Sequence, residues 1–291
     1  MFKYKGKVIF IDYDILFYFP LSHLRHWPCH PLAKLIRPEQ LRRSMEISKD
    51  HPRYRSLVTR ERMSEMVSRG IVASTGLIAH GRGEAFDYLL GERTVPAADE
   101  AARAAAARLL EARHPVITVN GNAAGLCADG LISLAREVPA RLEVNLFHRT
   151  PERVERVCRY LEEAGAADLL GREQDAWLEG IASDRARCSA EGIGRADVVL
   201  IPLEDGDRAA ALAAAGKTVL AIDINPLSRT AIAAGVAVVD ELTRAVPNIE
   251  RHVHELRDRP EERRRIIEEF SNERNLERMR NAMCETLRQK G

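Results

Sequence analysis

Short apolar runs, each closing on a cluster of polar, turn-prone residues, recur along the second half of the chain. Residues 116–119, 142–147, 167–170, 198–202, 218–222 and 236–239 have the length of strands, and 218–222 the near-continuous hydrophobicity of one buried on both faces. Helical segments separate them. Residues 97–113, AADEAARAAAARLLEAR, combine high helix propensity with small side chains and predict a helix that covers a sheet. A helix to about Glu137 follows the first run. Another over 151–164 starts on a Thr150 cap with Pro151 as its first residue. A short alanine-rich helix follows Arg208. Residues 171–194 read as a polar crossover with a helix ending near Cys188. The alternation predicts an α/β fold: a parallel sheet with flanking helices.

Ahead of this core lies a helical N-terminal part, 45–114. Residues 56–69 place Leu57, Met63, Met66 and Val67 roughly on one helical face. The stretch from His80 to Tyr88, HGRGEAFDY, reads as a glycine-flanked loop or helix–loop–helix joint carrying Arg82. Behind the core, 251–291 is charged and helical. Ile266, Phe270, Leu276, Met279, Met283 and Leu287 form one apolar stripe on a long C-terminal helix. Residues 1–44 stand apart. VIFIDYDILFYF, 8–19, reads as one strand, too short and too charged for a membrane span and without a signal-peptide cleavage site. His23, His26, Cys29 and His30 lack a second ligand pair at zinc spacing. Met45 opens a stretch that reads like a natural beginning.

The 291 residues are 45% hydrophobic and 30% charged, which is enough for a sizeable core. A net charge of +1 gives no field to steer the chain to nucleic acid or a membrane, and 5% aromatics argue against base-stacking platforms. Five scattered cysteines without a CxxC pair carry no zinc or redox signature and fit a reducing cytoplasm.

Candidate chemistry gathers at the ends of the runs. In a parallel sheet these ends face one edge, where ligands bind. They present Asn120 and Asn122, His148 and Arg149, Asp205 to Arg208, Asp223 to Thr230, and Asp240 with Glu241. GKTVLAIDINPLSRT, 216–230, sets Asp223, an acceptor suited to ribose hydroxyls, beside Arg229, a bidentate phosphate ligand. The same residue types also make capped loops. GxGxxG, GxxxxGK[ST] and GxSxG motifs are absent. Arginine, carboxylate and amide without an evident nucleophile suit electrostatic stabilisation of a phosphate-bearing reaction.

HPRYRSL, GLIAHGRGEAFDYLLGE, VNGN, EVNLFHRT, ADVVLIPLEDGDR and AIDINPLSRT resemble, in order, the blocks of the archaeal phosphopantothenate synthetases (4-phosphopantoate–β-alanine ligases). The resemblance runs from about His51 to the C-terminus. It implies a homodimer with a Rossmann-like core that joins 4-phosphopantoate to β-alanine with ATP and Mg²⁺, forming AMP and pyrophosphate on the way to coenzyme A. It implies ATP contacts at Arg60, Arg82, Asp223, Ile224, Asn225, Arg229, Thr230, Asp240, Glu241 and Leu242. Asn120, Asn122 and Arg149 fall to phosphopantoate, and Arg82, Arg149 and Asn120 to catalysis. Similar family members tend to have Asn at the position of Glu241 and Tyr at that of His148. A ligase of another small phosphorylated acid, or a nucleotide-binding regulatory module, are the competing readings. A nicotinamide oxidoreductase is disfavoured by the missing glycine fingerprint.

Overall fold

The computed structural model describes residues 2–4, 7–12, 15–20, 47–181 and 186–290. The chain forms two compact units, Met1–Pro52 and Arg53–Gly291. In the first, β1 (Phe2–Tyr4), β2 (Lys7–Asp12) and β3 (Ile15–Pro20) make an antiparallel sheet in the order β1-β2-β3. The single strand expected over 8–19 is therefore two strands, with Asp12 paired to Ile15. Folding the run back lets its backbone groups pair with each other, which one extended strand cannot do. The His23–His30 group and Met45 lie outside the described residues.

The second unit opens with α1 (Tyr54–Ser68), α2 (Ser74–Leu90) and α3 (Pro96–Glu111). Then come β4 (Pro115–Val119), α4 (Gly121–Glu137), β5 (Arg141–Val144) and α5 (Pro151–Glu163). A small hairpin, β6 (Ala176–Trp177) and β7 (Arg187–Cys188), leads to a π-helical turn at Ala190–Gly194. The core continues with β8 (Val198–Pro202), α6 (Gly206–Ala214), β9 (Thr218–Ile222), α7 (Arg229–Ala233) and β10 (Val236–Val238). Three helices end the chain: α8 (Leu242–Leu256), α9 (Pro260–Glu269) and α10 (Asn272–Lys290).

The core sheet is wholly parallel, in the order β10-β9-β8-β4-β5. Every residue of β4 and β8 is buried, because helices cover both faces. Numbered along the chain, these five strands run 2-1-3-4-5 across the sheet, a doubly wound order. After β4 the chain turns one way to β5, and β8 then comes in on the other side of β4. The carboxyl ends of β4 and β8 therefore bracket the crevice that this topology leaves open.

Four expectations change. The glycine-flanked stretch from His80 to Tyr88 is uninterrupted helix, the middle of α2. Of its two glycines, Gly83 packs closely on Ile224, whereas Gly81 faces open space. Residues 167–170 contribute only a bridge, Glu143 to Leu170. Among its described residues the crossover holds the β6–β7 pair and a π turn rather than an α-helix, and the segment from Ser189 to Ile193 serves Glu143. That carboxylate lies buried on β5 and accepts from Ser189 N (3.0 Å) and Ile193 N (2.8 Å). A Cβ at Gly192 would collide with it. Burial pushes the Glu143 pKa up against these two bonds. The C-terminal stripe is divided between α9 and α10, with Phe270 in extended backbone closing α9. Leu276, Met279 and Met283 of α10 are buried, each stabilising by about 1.5–3 kcal/mol relative to exposure.

Candidate active site

The site is assembled by loops that bind one another at the carboxyl edge. Asn120 caps α4 by accepting from Ala123 N (2.9 Å), and its amide donates to Pro202 O (2.9 Å) and Leu203 O (3.0 Å). One side chain thus laces the ends of β4 and β8 across the mouth of the crevice. Leu203, at the end of β8, has φ 52°, a left-handed conformation that a branched side chain adopts only under restraint. Its N–H donates to Ile222 O (2.9 Å). The next loop is fixed in turn: Thr230, buried, donates its hydroxyl to Glu204 O (2.7 Å), and Arg229 pairs with Asp207 (2.7 Å). A Cβ at Gly206 would collide with Arg229, so glycine there lets the starts of α6 and α7 meet.

Asp223 ends β9. Its carboxylate accepts from Asn225 N (3.0 Å) and Ser228 Oγ (2.5 Å), while Ser228 caps α7 through Ala231 N. Burial raises the Asp223 pKa against these bonds. Asn225 Oδ1 accepts from Leu227 N (2.9 Å), and Ile224 is buried. At the end of β10, Asp240 accepts from Thr94 Oγ1 (2.5 Å), from its neighbour Glu241 N (2.8 Å) and from Arg244 Nη2 (2.6 Å). Arg244 also grips Asp87 of α2. Burial alone would lower the Arg244 pKa, but the two carboxylates reverse this and hold it raised. Glu241 caps α8 through Thr243 N (2.9 Å). Its charge is therefore turned to the positive end of a helix, although burial raises its pKa. Leu242, the first residue of that helix, is buried.

Helix α2 forms one wall. Asn122 donates to Gly76 O (2.9 Å), and a Cβ at Gly76 would collide with the Asn122 carbonyl oxygen. A Cβ at Gly83 would sit 3.3 Å from Ile224 Cγ2. The helix therefore touches both the β4 loop and the β9 loop. Arg82, beside Gly83, is exposed and makes no hydrogen bond or ion pair among the described residues. Arg60, from α1, binds both oxygens of Glu84 on α2 (2.8 Å from Nη2). Burial works against the Glu84 charge, but bonds from Arg60, Ser56 and Tyr88 outweigh it and lower the pKa. Arg149 donates to Gly171 O (3.0 Å) and Arg172 O (3.1 Å) at the end of β5.

Two kinds of role stand out among the expected residues. Asn120, Asn122 and Thr230 spend side-chain hydrogen bonds on joining distant backbone segments, whereas Asp240 binds Thr94 and Arg244 and Glu241 caps its own helix. Arg82 and the exposed, solvent-screened Arg229–Asp207 pair hold charge that a phosphate can take over. Arg208, the last residue of the strand-end group that begins at Asp205, differs from the other candidates. Its side chain is fully buried below the edge, donating to Asn145 with Glu204 3.9 Å away. Arg208 stands in the quoted block LEDGDR, but an arginine after a strand reads as solvated unless its burial is known. Among the described residues no three His, Cys, Asp or Glu side chains converge on a metal position. A cavity of about 400 Å³ between α3, α9 and α10 contains none of the strand-end residues.

Fold and site together define a doubly wound α/β protein whose carboxyl-edge crevice is roofed by a helix and lined by arginine, amide and carboxylate. Residues 97–286 match the phosphopantothenate/pantothenate synthetase family, and the chain belongs to that family. It is 50% identical over 232 residues to a 4-phosphopantoate–β-alanine ligase of Methanosarcina mazei, covering 79% of this chain and 91% of the relative. It is 53% identical over 210 residues to the ligase of that name from Methanospirillum hungatei, covering 72% and 86%. The counterpart from Thermococcus kodakarensis is 46% identical over 234 residues, covering 80% and 90%.

Proposed function

We propose that this protein is a 4-phosphopantoate–β-alanine ligase. It condenses the two substrates to 4′-phosphopantothenate with conversion of ATP to AMP and pyrophosphate, a carbon–nitrogen ligase reaction of coenzyme A synthesis. The observation that carries the reading is the mutual lacing of the 120–122, 203–208 and 223–230 loops at one sheet edge. These are blocks on which the resemblance rests, and they fall where a doubly wound sheet binds ligands.

The chemistry follows from the acid. A carboxylate is a poor electrophile until its oxygen becomes a good leaving group. The phosphopantoate carboxylate attacks the α-phosphorus of ATP, pyrophosphate leaves, and an acyl-adenylate forms. The amine of β-alanine then attacks the acyl carbon and AMP leaves. Negative charge spreads over the phosphate oxygens in the first step. In this reading Arg82 and Arg229 act on that charge, and one well-placed donor is worth about 3–4 kcal/mol in such a step. Asp223 with Asn225 anchors ATP, beside the Asp240–Leu242 turn. Arg60 is drawn from Glu84 toward phosphate. Asn120 and Asn122 shape the acid pocket, and Arg149 contributes positive charge at its far side. Mg²⁺ would enter with ATP and would offset the negative charge of its phosphates.

We also place the protein in the cytoplasm, as a homodimer. The exposed pair Leu77 and Ile78 on α2 supports an apolar contact face. Among the described residues no helix is long and apolar enough to cross a membrane. The decisive assay follows AMP and pyrophosphate with ATP, Mg²⁺, 4-phosphopantoate and β-alanine, omitting each in turn. The ligase makes both products with the full set and stops when any one is withheld. ATP binding without turnover would move the assignment to another acid or to a regulatory module.

A further inference from the structure

Gly76, His80, Gly83 and Asp87 recur at intervals of four, three and four, so they share one stripe of α2. Three of them have partners that identify what the stripe faces. Gly76 abuts Asn122, in the loop after β4. Gly83 abuts Ile224, in the loop after β9. Asp87 binds Arg244, beyond β10. The helix therefore crosses the carboxyl edge in sheet order. Its rise puts Gly83 about 10.5 Å from Gly76, and β9 lies two strand spacings, about 9.6 Å, from β4. His80, about 6 Å along, falls over β8. That is the crevice where Asn120 laces β4 to β8 and Leu203 holds its left-handed turn.

His80 is half-buried, and its ring makes no hydrogen bond among the described residues. The charged groups that act on it are Glu84, one turn along α2, and Arg60 on α1. Gly76 and Gly83 serve packing and Asp87 serves an ion pair, so His80 is the member of the stripe with a free functional group.

We propose that His80 is the base of the amide-forming step. The assignment rests on the ligase reading above. The β-alanine amine reaches the acyl-adenylate after giving its first proton to water. As its lone pair forms the carbon–nitrogen bond, the nitrogen becomes acidic, and a ring nitrogen of His80 takes the second proton. The bond from the acyl carbon to the AMP oxygen breaks, and AMP leaves with the electron pair. His80 then returns the proton to solvent. Burial lowers its pKa from 6.5, with Glu84 opposing and Arg60 reinforcing. The ring is therefore neutral and able to accept at pH 7, and this step loses its base as pH falls through that lowered value.

The test uses two half-reactions in one protein. Phosphopantoate-dependent exchange of labelled pyrophosphate into ATP reports adenylation alone. β-Alanine-dependent phosphopantothenate formation reports the whole. In H80N, and in H80A as a second variant, amide formation at pH 7 falls by about 100-fold or more and loses its acidic limb. Exchange stays within about threefold, and the urea midpoint is unchanged. Hydroxylamine, a weaker base whose nitrogen sheds its proton to water once bonded, still converts the adenylate to hydroxamate at a near-unaltered rate. Amide formation within about threefold of normal overturns the assignment, as does an equal fall in exchange, hydroxamate and amide. If the unaltered protein shows no phosphopantoate-dependent exchange, the ligase reading fails first and takes this assignment with it.

Discussion

Three arginines were expected on ATP, and the structure separates them by what each would leave behind. Arg60 is half of a bidentate pair with Glu84, in a cluster with Ser56 and Tyr88. Arg229 shares an exposed pair with Asp207, of the kind that contributes about 0–1 kcal/mol. Arg82 makes no protein contact of either kind among the described residues. Removing it strands no buried partner, so its loss reads as function alone. R82A is expected to lower kcat/KM for ATP by about 100-fold or more while its urea midpoint stays at the unaltered value. Turnover near normal would remove Arg82 from the phosphate site. The polarity of 223–230 was legible because strand ends collect ligands, whatever the surrounding topology. The commitment of Asn120 to Pro202 and Leu203 was not, because it joins residues more than eighty positions apart.

At the scale of elements, α2 is where local sequence misleads. Gly81 and Gly83 punctuate HGRGE, and each glycine costs a helix about 1 kcal/mol relative to alanine. The helix persists because close approach to its neighbours offsets that cost, but the glycines do not contribute equally. A Cβ at Gly81 meets nothing within 4 Å, whereas one at Gly76 strikes Asn122. G81A is therefore expected to raise stability by about 0.5–1 kcal/mol. G76A is expected to lower it by about 1–3 kcal/mol through overpacking, and to impair turnover by lifting α2 off the β4 loop. Urea titration of the pair checks the opposed signs, and equal responses would mean that α2 does not pack as described. The β6–β7 hairpin and π turn were illegible for a different reason. Residues 171–194 have no hydrophobic period, and Ser189 and Ile193 within them turn their backbone N–H groups onto the buried carboxylate of Glu143.

For the whole molecule, strand–helix alternation implied a parallel sheet but not its order. Apolar runs of similar length do not say which strand lies next to which. The crevice between β4 and β8 therefore emerges only from the pairing of Val116 with Val199. The resemblance begins near His51, and the second compact unit begins at Arg53. Within residues 47–181 and 186–289, the buried hydrophobic side chains all lie between Met63 and Met283. Both faces of the five-stranded sheet are covered by helices from that span. A chain beginning at Met45 keeps every one of these contacts. It also keeps the residues assigned to ATP and phosphopantoate, from Arg60 to Leu242. It is expected to unfold in one cooperative transition and to turn over within about twofold of the full chain, since no side chain named in the site is removed. Circular dichroism during urea titration and the AMP assay measure both properties on one preparation. A broad, non-cooperative transition would assign the leading segment to the core, whereas normal unfolding with lost turnover would assign it to the active site.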